Sequence, residues 1–402
     1  MPTTVSTSQR VKAPADQVYR AFTRAMNLHE WLCDLATVAP HPGGRMYLWW
    51  HGDFYSAGEY VALDENRSVT FTWHSRIDPG PSTIRVTIDP AADGSQVTLE
   101  HTLPDWKDWQ GTPQGFQQEW VVSLDNLASV LETGIDKRTF DRPMLGINLS
   151  DFNAAIATTL GVPVTEGMRL DGVVENLGAA RAGLRKDDVL VSLGGKTLTS
   201  DYSSLVMALH GRKGGDSVEV TFYRGSEKRS VPMELSRRPL PEIPWDAAGL
   251  ARVVRGKYDA SLAVLEHTFA GVGEVQADFH PAPTEWSAKE VLAHLIHNER
   301  LTVGFLDDAV SGYERLLDDF GGNVDAHMKA IVAAYGSTRG LLDELKRLSE
   351  EVVAFIALLP EDFVARKSTY FQLANALINS SEAHIRDHNS QIQSALDAPR
   401  RS

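Results

Sequence analysis

At 402 residues the chain exceeds the ~100–200 residues of an ordinary single domain, so two or three domains with separate cores are expected. Its 43% hydrophobic content is ordinary for globular protein, and 53 acidic against 39 basic residues give a formal charge of -14, which works against nucleic acid or an anionic membrane as a main partner. Cys33 is the single cysteine, which excludes an intramolecular disulfide; with no signal-like apolar core and no ~20-residue apolar run, a cytoplasmic home is expected.

A first module is expected over residues 1–138. Pro14 suits the first turn of a helix running Pro14-Ala-Asp-Gln-Val-Tyr-Arg-Ala-Phe-Thr. Short β-rich runs follow at Met46, Gly58, Ser68, Thr83 and Ser95, separated by turn residues such as Asp93-Gly94, so consecutive hairpins are the economical reading. Phe116, Trp120, Leu124, Leu127 and Leu131 recur at helical spacing and predict a closing helix across the concave face of the sheet, with a cavity beneath it. Cys33, in the apolar run Trp31-Leu-Cys, reads as packing. His51, His74 and His101 have no ligand spacing and are expected at the polar surface.

The run Val11-Lys-Ala-Pro-Ala-Asp-Gln-Val-Tyr-Arg-Ala-Phe-Thr, then Glu30-Trp31, Gly43-Gly44 and the helix around Trp120, resembles the START-like SRPBCC superfamily, in the branch related to the C-terminal domain of the heat-shock-protein ATPase activator. The resemblance implies a helix-grip fold that takes a small hydrophobic ligand. Trp49, Phe71, Trp73, Phe116 and Trp120 are the candidate cavity wall, and plain packing is the competing reading for most of them.

A second module is expected over residues 139–238, ending in the joint Arg237-Arg-Pro-Leu-Pro-Glu-Ile-Pro244, whose prolines favour an extended connector. Met144-Leu-Gly146-Ile147, Ala182-Gly-Leu-Arg-Lys-Asp-Asp188-Val-Leu, Leu193-Gly-Gly-Lys, Gly214-Gly-Asp216 and Arg224-Gly225, in that order, are similar to the PDZ pattern of HtrA-type bacterial proteins. The resemblance implies a β-rich domain that binds protein C-terminal peptides. Leu145, Gly146 and Ile147 match the carboxylate loop, and Leu205 and Leu209 lie on the helix bordering the groove. Asp187-Asp188 departs from the family's Gly-Asp, which puts that turn in doubt. A domain serving only as spacer is the alternative.

The third module, residues 239–402, is all-helical by pattern. Helices are expected over 246–269, from a capping box at Ser287 and Glu290 through His294, over 325–348 with a short one following to Leu359, and over 371–396. Four principal helices make a bundle whose interior can hold ligands. Leu373, Leu377, Ser380, His384, His388, Gln391 and Ala395 advance in steps of four and three, so His384 and His388 share one buried stripe, and His294 lies on the face of Val291 and Leu295. Three imidazoles aimed at one point are either metal ligands or a polar bundle core.

The segment Phe279-His-Pro-Ala-Pro-Thr-Glu-Trp286 through His294, with the closing His384-Ile-Arg-Asp-His388-Asn-Ser-Gln391, resembles the DinB/YfiT superfamily. That resemblance implies a divalent metal ion on His294, His384 and His388, with Zn, Ni and Fe all suited to imidazole, and chemistry with a low-molecular-weight thiol. His297 is expected to point aside, His267, His280 and His327 to be solvated or capping, and Glu299 to be an exposed helical residue by default or else a support behind the metal ligands. The fold expected is thus multidomain α+β: START-like, PDZ, then an all-α four-helix bundle. The function expected is metal-assisted thiol or small-molecule transfer of an S-transferase-like kind, with catalytic residues unassigned. The alternative is a non-enzymatic adaptor or chaperone-associated stress protein that binds client C-termini and a hydrophobic ligand.

Overall fold

The computed structural model describes residues 2–51, 54–76, 78–105, 112–313 and 324–398, apart from the side chains of 380–383. Two compact units result: Met1–Ile135 together with Glu242–Ser402, and Asp136–Pro241.

The first unit opens with β1 (Thr3–Val11), α1 (Ala15–Thr23), α2 (Ala25–Trp31), β2 (Leu35–Val38), β3 (Arg45–Trp50), β4 (Phe54–Asp64), β5 (Ser68–Ser75), β6 (Ser82–Ala91), β7 (Gly94–Leu103) and α3 (Pro113–Thr133). Every strand pairing is antiparallel, and the sheet order is β1-β7-β6-β5-β4-β3-β2. Period-two alternation aims Val69, Phe71 and Trp73 of β5, Ile84, Val86 and Ile88 of β6, and Val97 and Leu99 of β7 into one core. Helix α3 is started by Thr112, whose side chain accepts from the Gly115 N–H, and stopped by Gly134 at φ 77°. It lays Trp120, Leu124, Leu127 and Leu131 on the same core, and each such burial is worth about 1.5–3 kcal/mol. Cys33 is fully buried there, as its apolar neighbours predict.

His101 corrects the expectation of a surface role. It has the parity of Val97 and Leu99 on β7 and is completely buried. His51 and His74 are exposed.

The helical part of this unit comprises α8 (Ala247–Thr268), α9 (Glu274–Ala277), α10 (Ala288–Ser311), α11 (Val324–Tyr335), α12 (Thr338–Ala357), α13 (Glu361–Val364) and α14 (Lys367–Asp397), where α4 to α7 are the helices of the second unit given below. The capping box forms as expected: the Ser287 N–H donates to Glu290 Oε2 at 2.9 Å and the Glu290 N–H to Ser287 Oγ at 3.2 Å. The single helix expected over 325–348 is two. Gly336 turns at φ 69°, and Ser337 caps a new helix by accepting from the Gly340 N–H. That second helix continues to Ala357, through the segment expected to be separate. Leu250, Val254, Val291, Leu295, Leu345, Val352, Leu373 and Leu377 share the bundle core.

The start of α14 packs on the sheet-bearing part. The Thr369 hydroxyl donates to Glu30 Oε1 at 2.8 Å, and both residues are buried. A Cβ on Gly134 would stand 2.5 Å from the Phe371 Cβ, so glycine permits this close approach as well as the helix stop.

The second unit contains α4 (Lys137–Phe140), β8 (Ile147–Ser150), α5 (Ala154–Leu160), β9 (Met168–Val173), α6 (Gly178–Arg181), β10 (Val189–Leu193), β11 (Lys196–Thr197), α7 (Tyr202–Leu209), β12 (Ser217–Arg224) and β13 (Glu227–Glu234). Its sheet order is β13-β12-β10-β9-β8, with β11 on β10, so β8 is an edge strand. Asp187 takes a positive φ of 68°, the conformation the usual glycine would supply. Asp188 is fully buried and accepts from Arg224 Nε and Nη2, each at 2.7 Å. The unusual Asp-Asp pair therefore closes the turn.

Candidate metal centre

His294 is delivered by α10, and His384 and His388 by one turn of α14. One ring nitrogen from each of the three lies within 4.8 Å of the others. The ring centroids are 5.3 Å apart for His294 and His384, 4.7 Å for His294 and His388, and 4.4 Å for His384 and His388. The spacing pattern thus brings together the three residues it singles out. His297 turns elsewhere and stacks on His327 at 4.6 Å. His280 pairs with Glu290 at 2.9 Å, and His267 is exposed.

Hydrogen bonding distinguishes the rings. His388 Nδ1 lies 2.8 Å from Gln391 Oε1, an acceptor, so Nδ1 carries the proton and Nε2 keeps a lone pair. His294 Nδ1 and His384 Nε2 are buried and have no hydrogen-bond partner among the described residues. Leaving each so costs about 1–3 kcal/mol. Burial, followed by repulsion from His388 and His384, pushes His294 down to about 4. Burial and His388 also lower His384. Both rings are therefore neutral at neutral pH, the form that coordinates a metal. This donor set, with two unsatisfied buried nitrogens and a third oriented by a glutamine, fits one shared ion. Trp286, quoted in the sequence pattern without a role, lies 5.1 Å from His294 and shields that ring.

Glu299, one turn beyond Leu295 and Ile296 on α10, is the chief departure from expectation. It is 2% exposed, not solvated, and its Oε2 accepts from the Tyr258 hydroxyl at 2.6 Å. Burial pushes it up to about 7. Its place was signalled by Leu292, Leu295 and Ile296, whose apolar stripe it continues.

Comparison with known families assigns the modules. The model for Activator of Hsp90 ATPase homolog 1-like protein matches residues 12–132, that for the PDZ domain residues 143–235, and that for the DinB superfamily residues 257–392. The chain carries an AHSA1-like, a PDZ and a DinB domain, in that order. The serine protease Do-like HtrA of Lactococcus lactis subsp. lactis (strain IL1403) is 35% identical over 101 residues, 24% of this chain and 24% of that protein. The magnetosome formation protease MamE of Paramagnetospirillum magneticum (strain ATCC 700264 / AMB-1) is 32% identical over 92 residues, 22% of this chain and 12% of that protein. The chain thus spans a quarter or less of the length of these relatives, which support the PDZ assignment. The crystal structure of protein MLL2253 from Mesorhizobium loti is similar at 22% identity and a TM-score of 0.30, covering 32% of this chain and 97% of that one.

In the AHSA1-like domain, Phe71, Trp73 and Trp120 belong to one buried core, and Phe116, on α3 with Trp120, is half-buried beside it. Trp73 and Trp120 are edge-on at 5.5 Å, Phe71 is edge-on to Tyr60 at 6.3 Å, and Phe116 is edge-on to His101 at 4.7 Å. Trp49 does not join them. It alternates with the core residues Met46 and Leu48, faces Tyr55 across the strand pair, and rests on His51 at 4.9 Å. Trp120 Nε1 donates to His101 Nδ1 at 3.1 Å, which leaves the proton on Nε2, 2.7 Å from Ser82 Oγ; Ser82 in turn donates to the Trp73 carbonyl at 3.0 Å. This Ser–His pair runs the wrong way for a nucleophile, because the ring donates to the hydroxyl and cannot take its proton.

In the PDZ domain, Gly146 holds φ 77° and its carbonyl accepts from the Val174 N–H at 2.9 Å. Leu145 and Leu205 are core side chains, while Ile147 and Leu209 pack part-buried against that core. Beside β8 and the start of α7 is a cavity of about 500 Å³ lined by Leu149, Phe152, Met168 and Tyr202 among others. Among the described residues, no helix is long and apolar enough to cross a membrane.

Proposed function

We propose that His294, His384 and His388 hold one divalent ion in the DinB domain, and that the chain uses it for thiol-dependent transfer to a small electrophile. The observation that carries this reading is the pair of buried ring nitrogens, His294 Nδ1 and His384 Nε2, without a partner among the described residues. An ion on three imidazoles with open positions lowers the pKa of a bound thiol or water and presents a nucleophile at neutral pH. The chain's own residues supply neutral donors, an orienting amide from Gln391, and a lid of indole from Trp286. Zinc, nickel and iron all suit this donor set. The test is a screen of glutathione, mycothiol and bacillithiol with model electrophiles, comparing apo and metal-loaded protein. Loaded protein is expected to be faster with one thiol, and equal rates would remove the transfer mechanism.

A second reading is favoured by the edge position of β8 and the exposed Leu149 on it. Here the chain is an adaptor: the PDZ domain takes protein C-terminal peptides on the β8 edge, with Leu145, Gly146 and Ile147 supplying the carboxylate loop, and the AHSA1-like domain takes a hydrophobic ligand among Phe71, Trp73, Phe116 and Trp120. Peptide binding that weakens when the peptide terminus is amidated, with no thiol turnover, would select it.

A further inference from the structure

Within the first compact unit, the AHSA1-like and DinB domains enclose a cavity of about 470 Å³. One wall comes from α1 and α2 with Arg20, Arg24 and Asn27, and the other from the end of α10 and the start of α14 with Arg366, Ser368 and Thr369. Three arginines line it, and none of the described lining residues is Asp or Glu. In a chain of formal charge -14 this is a local reversal of sign.

The floor is already built. Asn27 Nδ2 donates to Glu30 Oε2 at 3.0 Å, and the Thr369 hydroxyl donates to Glu30 Oε1 at 2.8 Å. Ser368 hydrogen-bonds the same carboxyl, and Ser368 and Thr369 are 3% and 6% exposed. Arg366 is partly neutralised by Asp362 at 3.1 Å. Arg20, in the last turn of α1, and Arg24, its extended C-cap residue, both line the cavity and make no ion pair among the described residues. Two guanidinium groups without an ion pair among the described residues, lining one cavity with a third, offer paired donors that match an anion's oxygens.

We propose that this inter-domain cavity binds a small phosphorylated anion through Arg20, Arg24 and Arg366. The volume lies in the range of small-molecule sites, ~300–1,000 Å³, and is larger than inorganic phosphate requires, so a diphosphate or a mononucleotide-sized phosphate ester fits it. Guanidinium forks match phosphate oxygens in pairs, and the ligand spans two domains, so its binding stiffens their junction. This site does not depend on the histidine cluster.

The experiment is calorimetric titration of the full chain with pyrophosphate and with adenosine monophosphate, in EDTA and at fixed ionic strength, with the dicarboxylate succinate as a third arm. Saturable single-site binding of a phosphate ligand is expected, weakened about tenfold or more in Arg20→Gln and in Arg24→Gln and unchanged in Arg45→Gln, an exposed arginine outside the cavity. Both cavity variants replace exposed side chains, and their unliganded melting midpoints check that they fold. Absence of saturable phosphate binding, full affinity in both variants, or tighter binding of succinate than of either phosphate ligand would overturn the proposal.

Discussion

His388 Nδ1 stands 2.8 Å from Gln391 Oε1, three residues further along the same helix. That contact fixes which nitrogen of His388 faces the centre, and a weaker version of it would let the ring spin. Gln391→Leu should therefore keep the helix and weaken metal affinity by about 10–100-fold. Competition with a chelator of known affinity checks this; unchanged affinity would show that the amide does not orient the ring.

His101 is held neutral in the AHSA1-like core, with burial pushing it down to about 4 from an ordinary 6.5. Between those values the unfolded chain binds a proton that the folded one refuses. Stability is thus present above pH 6.5 and is lost as pH falls toward 4, by up to about 3 kcal/mol. Urea unfolding followed by tryptophan fluorescence at pH 7 and pH 4.5 should show that loss, and His101→Gln should reduce it.

Glu299 titrates in the opposite sense. Its folded value near 7 lies above the ordinary 4.5, so its contribution is intact below pH 4.5 and is lost as pH rises through 7. Glutamine can still accept from the Tyr258 hydroxyl without a charge to bury. Glu299→Gln is expected to raise the melting midpoint at pH 8 and to leave it nearly unchanged at pH 5. A lower midpoint at pH 8 would mean that the ionised carboxylate serves the bundle.

Gly146 combines a φ of 77° with a hypothetical Cβ only 2.4 Å from the Leu177 Cβ. Gly146→Val should destabilise the PDZ domain by roughly 1–3 kcal/mol or more. Any C-terminal peptide binding should go with it. Retained binding of acid-terminated peptides by a folded variant would remove the loop from that role.

The histidine triad was legible because an α-helix fixes what lies four residues away: His384 and His388 had to share a face, and the Ser287–Glu290 box set the register of His294. His101 and Glu299 each continue an apolar pattern on their own element, and that periodicity outweighs the usual preference of a polar or charged side chain for solvent. The break at Gly336-Ser337 was marked by a stop glycine and a capping serine inside an otherwise continuous pattern. Trp49 has the outward parity of β3, which aromatic content alone does not reveal. The meeting of Arg20, Arg24 and Arg366 was beyond local reading, because α1 and α14 come from opposite ends of the chain and only tertiary packing joins them.

The ion on His294, His384 and His388 is the centre of the proposed chemistry. Elemental analysis of gently purified or reconstituted wild-type protein, set beside His384→Ala, His388→Ala and His297→Ala, tests it most directly. One equivalent of a divalent metal is predicted for wild type and for His297→Ala, with none retained by the other two and with metal raising the melting midpoint only where it binds. Wild-type protein that takes up no metal on reconstitution, or His384→Ala binding zinc or nickel as tightly as wild type, would contradict it.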